Sequence, residues 1–198
     1  MPALPASELI MSSSSVISDV TQTLEELLRG GQLPLNTFDV SLKSPADEKV
    51  SPSMKPKVNL FLFRVSENPF AKNQDWQPVT PETLRYPPLA LNLTYVLTPY
   101  AENALDEQRV FGEAMRVLYE NSIVPAAALR GGLENTAEEL KVDLCQMTLE
   151  QQTQVWSALG QPYRLSACYE VRMVLIDSAT ERAAARVSQP VFDLSRND

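Results

Sequence analysis

No histidine occurs in this chain of 198 residues. Its absence excludes Ser-His-Asp and Cys-His nucleophile systems, imidazole metal ligation and histidine general bases together. Carboxylate, lysine and tyrosine chemistry stay open. Cysteine is scarce: Cys145 and Cys168 are too few for a disulfide scaffold or a thiolate metal site, and they read as buried free thiols in a reducing compartment. The six glycines, at 30, 31, 112, 131, 132 and 160, give neither G-x-G-x-x-G nor a Walker loop, so no phosphate cradle is expected. Gly30-Gly31 and Gly131-Gly132 read as chain breaks. Basic residues are outnumbered, 17 against 25 acidic, for a net charge of -8. Binding to phosphates or anionic headgroups favours the opposite balance, so neither nucleic acid nor a membrane surface is an expected partner. No apolar run nears the roughly 18 residues of a membrane span, and residues 1–5 lack the basic start of a secretory leader. The expected location is the cytoplasm.

What is present suffices for a core: 44% of residues are hydrophobic. Residues 1–13 read as a flexible arm. Ile17, Val20, Leu24, Leu27 and Leu28 then recur at helical spacing after a serine cluster. Phe38, Val40 and Leu42 alternate as a half-buried strand. The run 58–65 is apolar on both faces, the signature of a central strand covered on both sides. Leu89, Leu91, Leu93, Tyr95 and Leu97 alternate through the clearest strand of the chain.

Asn103 caps a helix whose stripe is Val110, Phe111, Ala114, Val117 and Leu118. Residues 140–145 alternate as a further strand, and Thr148 with Gln151 forms a capping box for a helix carrying Trp156. A last strand covers 164–177, with Leu165, Ala167, Tyr169, Val171, Met173 and Leu175 on one face. These elements predict an α+β fold: a mostly antiparallel sheet of about five strands flanked by two to four helices.

Two stretches resist assignment. Residues 44–56 form a polar loop, and 66–87 form a long irregular one holding four prolines and Trp76. Loops of that length are commonly functional, so the second is expected to touch a partner, with Glu67, Asn68, Trp76, Arg85 and Tyr86 as candidate contacts. For Trp76 an anchoring and an incidental role both stand. The segment 178–198 is polar apart from a few apolar residues, of which Val187, Val191 and Phe192 are candidates to pack on a neighbour; a frayed terminus is the equal alternative. The acidic pairs, such as Glu25-Glu26 and Asp106-Glu107, read as solvated faces, and Glu170 with Arg172 as a structural ion pair.

Five segments in order carry a likeness: NLFLFRVSENP at 59–69, PPLALNLTYVLTPY at 87–100, the helix 112–121, LEQQTQVWSAL at 149–159 and PYRLSACYEV at 162–171. Together they resemble the Pvc-type cap family, the tube terminators of phage-tail-like contractile injection systems. The likeness spans roughly 14–177, read as a tail-terminator-like domain between the arm 1–13 and a C-terminal arm 178–198. The resemblance implies a non-enzymatic homohexameric ring without cofactor. It would close the baseplate-distal end of the inner tube and contact the last sheath layer, with tube and sheath proteins as partners. Two alternatives from other classes remain: an adaptor or assembly chaperone that binds one partner without forming a ring, and a carboxylate-dependent hydrolase using a pair such as Glu67 and Glu170.

Overall fold

The computed structural model describes residues 14–30, 38–134 and 139–184. In chain order the elements are helix α1 (Val16–Gly30), strands β1 (Asp39–Ser41), β2 (Lys57–Glu67), β3 (Gln77–Thr80), β4 (Thr83–Arg85) and β5 (Leu89–Tyr100), helix α2 (Ala104–Glu120), strands β6 (Ile123–Val124) and β7 (Leu140–Cys145), helix α3 (Leu149–Ala158), and strands β8 (Ala167–Ile176) and β9 (Glu181–Ala183). The main sheet has six strands in the order β1-β2-β5-β8-β7-β6. Only the β1–β2 pair is parallel. A second sheet has the order β3-β4-β9. The fold is α+β with three helices among the described residues, and the strand count exceeds the expected five because edge strand β6 and the small sheet are short.

The helices form where caps and stripes agree. Asn103 accepts from the Asp106 amide at 2.9 Å at the start of α2. Thr148 and Gln151 make the reciprocal capping box of α3. Helices α1 and α2 lie on one face of the main sheet. Val16, Val20, Leu24 and Leu28 of α1 and Val110, Ala114, Val117 and Leu118 of α2 join one core with Val58, Leu60, Leu93, Tyr95, Leu97 and Val171 of the strands. Burying each such side chain contributes about 1.5–3 kcal/mol. Helix α3 sits on the opposite face through Trp156, whose indole N–H donates to Ser166 Oγ at 3.1 Å.

Three expectations are corrected. The strand at 58–65 is interior to the sheet but not covered on both sides: Val58 and Leu60 on the helix face are buried, whereas Phe61 and Phe63 are only half-buried and line a hollow beside α3. Its apolar outer face is left open beyond α3. The alternation of β8 reverses at a bulge, where Arg172 and Met173 oppose Asn92 and Met173 takes φ 60°. Val174 and Ile176 therefore join Tyr169 and Val171 on the core side, and Met173 and Leu175 do not. Finally, 66–87 is not irregular throughout, since β3 and β4 form a hairpin within it. The arm 1–13 and Gly31 lie outside the described residues.

Candidate interaction surface

The stretch 66–87 is ordered from its base. Asn68 is 4% exposed. Its amide N–H donates to Ala90 O at 2.8 Å, its Oδ1 accepts from the Phe70 amide at 2.9 Å, and its Nδ2 donates to Asn92 Oδ1 at 2.9 Å. Those bonds pin the loop to β5 and open the 3-10 turn Pro69–Ala71, from which Phe70 projects 95% exposed. Glu67 pairs with Lys72 across the same turn at 2.8 Å.

The hairpin is completed by the chain's later residues. Strand β9 pairs antiparallel with β4, so Arg85 stands opposite Glu181 and donates to one carboxylate oxygen through Nε at 3.1 Å and Nη2 at 2.8 Å. Trp76 and Tyr86 pack edge to face with centroids 5.4 Å apart. The Arg182 guanidinium lies 4.1 Å over the Trp76 ring. Of the eight candidate residues, Trp76, Arg85 and Tyr86 are thus gathered on the small sheet, while Glu67 and Asn68 stand at its base. Val187, Val191 and Phe192 lie outside the described residues. Glu181 and Arg182 were missed by the sequence reading: strand β9 has three residues, all exposed, and offers no alternation to detect.

The loop 44–56 is held by a second anchor. Ser44 caps the turn Pro45–Asp47, and the Glu48 carboxylate, with a side chain only 3% exposed, accepts from Lys57 and from Ser41. Burial pushes the Glu48 pKa up, but the bonds from Lys57 and Ser41 and the nearby positive charge more than reverse this and hold it below the usual 4.5. Its contribution to stability is therefore full above about pH 4.5 and lost as the pH falls through the lower folded-state value. Glu48→Gln is expected to cost about 1–3 kcal/mol at neutral pH by leaving Lys57 short of its acceptor. The check is the difference in Tm between the two proteins across pH, which should hold from pH 7 to 5 and shrink below about 4.5.

Beside this loop the outer face of the sheet is polar and enclosed. Asn59 donates to Lys43 O at 2.8 Å and Ser41 O at 3.3 Å, while its Oδ1, Thr98 Oγ1 and the Tyr100 hydroxyl are buried without a hydrogen-bond partner. Arg164, ion-paired with Glu107, stacks 4.6 Å over the Tyr100 ring. Burial raises the Tyr100 pKa to about 12, so it stays neutral.

The hydrolase pair is not assembled. Glu67 stands opposite Leu91 on one flank of β5, and Glu170 stands opposite Thr94 on the other. Leu91 faces the helix-covered core, whereas Thr94 lines the open face. Two strand spacings and three residues along β5 put their Cα atoms about 14 Å apart, and the two side chains leave opposite faces of the sheet. Carboxylates on opposite faces at that backbone separation cannot reach the roughly 5–9.5 Å spacing that paired carboxylate mechanisms use. Glu170 instead takes Arg172 at 3.0 Å, and Arg172 also reaches Asp143 at 3.0 Å, as expected of a structural pair. Among the described residues no cluster of His, Cys, Asp and Glu could hold a metal ion. None of their helices is long and apolar enough to cross a membrane.

This α+β fold, a mostly antiparallel sheet with helices on both faces, is shared with solved tube-terminating proteins. The chain is similar over 95% of its length to the solved PVC sheath/tube terminator, in the extended state, of an extracellular contractile injection system (TM-score 0.65, 16% identity). It is similar over 91% to the anti-feeding prophage cap, described as a tube terminating cap (TM-score 0.57, 17% identity). It spans 66% and 61% of those chains, respectively. The chain belongs to the family of the Pvc16 N-terminal domain, whose model matches residues 19–189. No curated protein sequence matches it.

Proposed function

We propose that this protein is the structural cap of a contractile injection system. It forms a homohexameric ring that closes the baseplate-distal end of the inner tube and anchors the last sheath layer, and it assembles in the cytoplasm. It works as a docking surface, without catalysis or cofactor. The observation that supports this best is the likeness of nearly the whole chain to terminators of two such particles. Closed cyclic symmetry fixes the subunit number once each copy docks on the next through two different patches.

The partner contacts fall on the segments that leave the main sheet: the loop 44–56, the stretch 66–87 and the residues from 178 onward. Trp76, Arg85 and Tyr86 give the small sheet rigid aromatic area beside a fixed guanidinium, the chemistry of an anchoring patch. Its outer strands, β3 and β9, are edges to which an extended partner segment can add.

Assembly of the cognate inner-tube protein with and without this chain, imaged by negative stain, tests the reading. Added protein should place density at one end of each tube and bound the tube length. Bare ends and an unchanged length distribution would overturn it. Removing residues 184–198 takes away Val187, Val191 and Phe192 and should weaken the ring or its hold on the sheath. Particles of normal length and stability after that truncation would remove the C-terminal segment from the contact.

A further inference from the structure

Cys145 and Cys168 are directly opposite each other at the last register position of the antiparallel β7–β8 ladder. Facing residues in such a ladder have Cα atoms about 4.5–5.5 Å apart, inside the roughly 4.4–6.8 Å that a disulfide accepts. Their register pairing puts both side chains on the same face of the sheet, with the two thiols side by side. That face is the open one. Both sulfurs line a hollow of about 680 Å³ between α3 and β2, walled by Phe61, Phe63 and Arg64. Cys168 is 4% exposed, whereas Cys145 is half-buried and reachable from solvent. The neighbouring Cys168 thiol favours the Cys145 thiolate and lowers its pKa, while the Cys145 neighbour and burial push Cys168 up. One sulfur is thus presented to solvent and the other is held behind it.

We propose that Cys145 and Cys168 are a redox pair that closes into an intramolecular cross-strand disulfide when the protein meets a disulfide oxidant such as oxidised glutathione. The Cys145 thiolate attacks one glutathione sulfur and expels a glutathione thiolate, leaving a mixed disulfide on Cys145. Cys168 gives up its proton, attacks the Cys145 sulfur and expels the second glutathione. Two protein thiols are oxidised, one glutathione disulfide is reduced to two thiols, and the two protein protons end on them. Once Cys145 is in the mixed disulfide its thiolate no longer opposes ionisation of Cys168, which frees the second step. The closed pair ties the segment bearing α3 at its base. Its biological setting rests on the cap reading: a reducing cytoplasm keeps the thiols open during assembly, and oxidising surroundings outside the cell close them.

The test uses the full chain alone, with no tube protein, so its outcome is independent of the cap reading. The protein is equilibrated in a glutathione buffer at the oxidising ratio of secretory compartments. Free thiols are counted and intact mass is measured under non-reducing conditions. Both thiols should disappear together with a mass loss of two hydrogens and no adduct, and a peptide map should link 145 to 168. Cys168→Ser should instead stop at one glutathione adduct on Cys145. Two thiols still free, a lasting adduct on the unsubstituted chain, or chain-to-chain dimers would each overturn the proposal.

Discussion

Gly131→Ala is expected to be strongly destabilising, by about 3 kcal/mol or more. Gly131 holds φ +65°, where an L side chain costs about 1–2 kcal/mol. An added Cβ would also lie 2.7 Å from Asp19 Cγ, far inside contact distance. Asp19 cannot easily withdraw. It is 7% exposed on α1, and its Oδ2 accepts from Ser15 Oγ at 2.7 Å and from the Gly132 amide at 3.2 Å. One turn further along α1, Thr23 Oγ1 accepts from the Arg130 amide at 3.1 Å, and Glu26 pairs with Arg130. These bonds seat the turn Gly131–Leu133 against α1, so that Leu129 and Leu133 reach the core, both 1% exposed. Urea unfolding should show the loss as a lower midpoint at unchanged slope. A midpoint within error of the unsubstituted protein would mean that the turn is not clamped as described.

Trp156→Ala should cost about 3–5 kcal/mol, the range for truncating a fully buried tryptophan. Trp156 is 1% exposed, and it is the only side chain of α3 that is buried. Its neighbours on the sheet, Phe63, Val96 and Cys168, would be left facing a cavity. At this chain length the loss corresponds to a fall in Tm of roughly 6–20 °C by differential scanning calorimetry. Trp156→Phe keeps most of the packing and loses the bond to Ser166, so it should fall by only a few degrees. If the alanine variant melts with the phenylalanine one, α3 is not fastened by this ring.

Much of the main domain was legible because its signals are local. The alternation from Leu89 to Leu97 predicts β5, the strand at the centre of the sheet. Asn103 and the Thr148–Gln151 box set the helix starts where the structure has them. The helix stripes of α1 and α2 identified the core, with Ile17, Leu27 and Phe111 at its margin. What failed depended on partners distant in sequence. The reversal in β8 comes from a bulge against Asn92, and the sequence around Met173 reads as unbroken alternation. The hairpin at 77–85 has strands of four and three residues with little burial, and it is stabilised by Glu181 and Arg182, about a hundred positions away. The candidate residues Trp76, Arg85 and Tyr86 were picked from the unusual length of their loop. Their grouping into one aromatic and cationic patch is a property of the second sheet.

The cap reading makes a claim about subunit number that one measurement tests most directly. Mass by light scattering would be determined for the purified chain of 22.0 kDa, alone and then with its cognate tube protein. Six copies, formed alone or only on the tube, with six-fold rings in the matching images, are the expected result. A species that stays monomeric with tube protein present would contradict it and favour a non-ring adaptor.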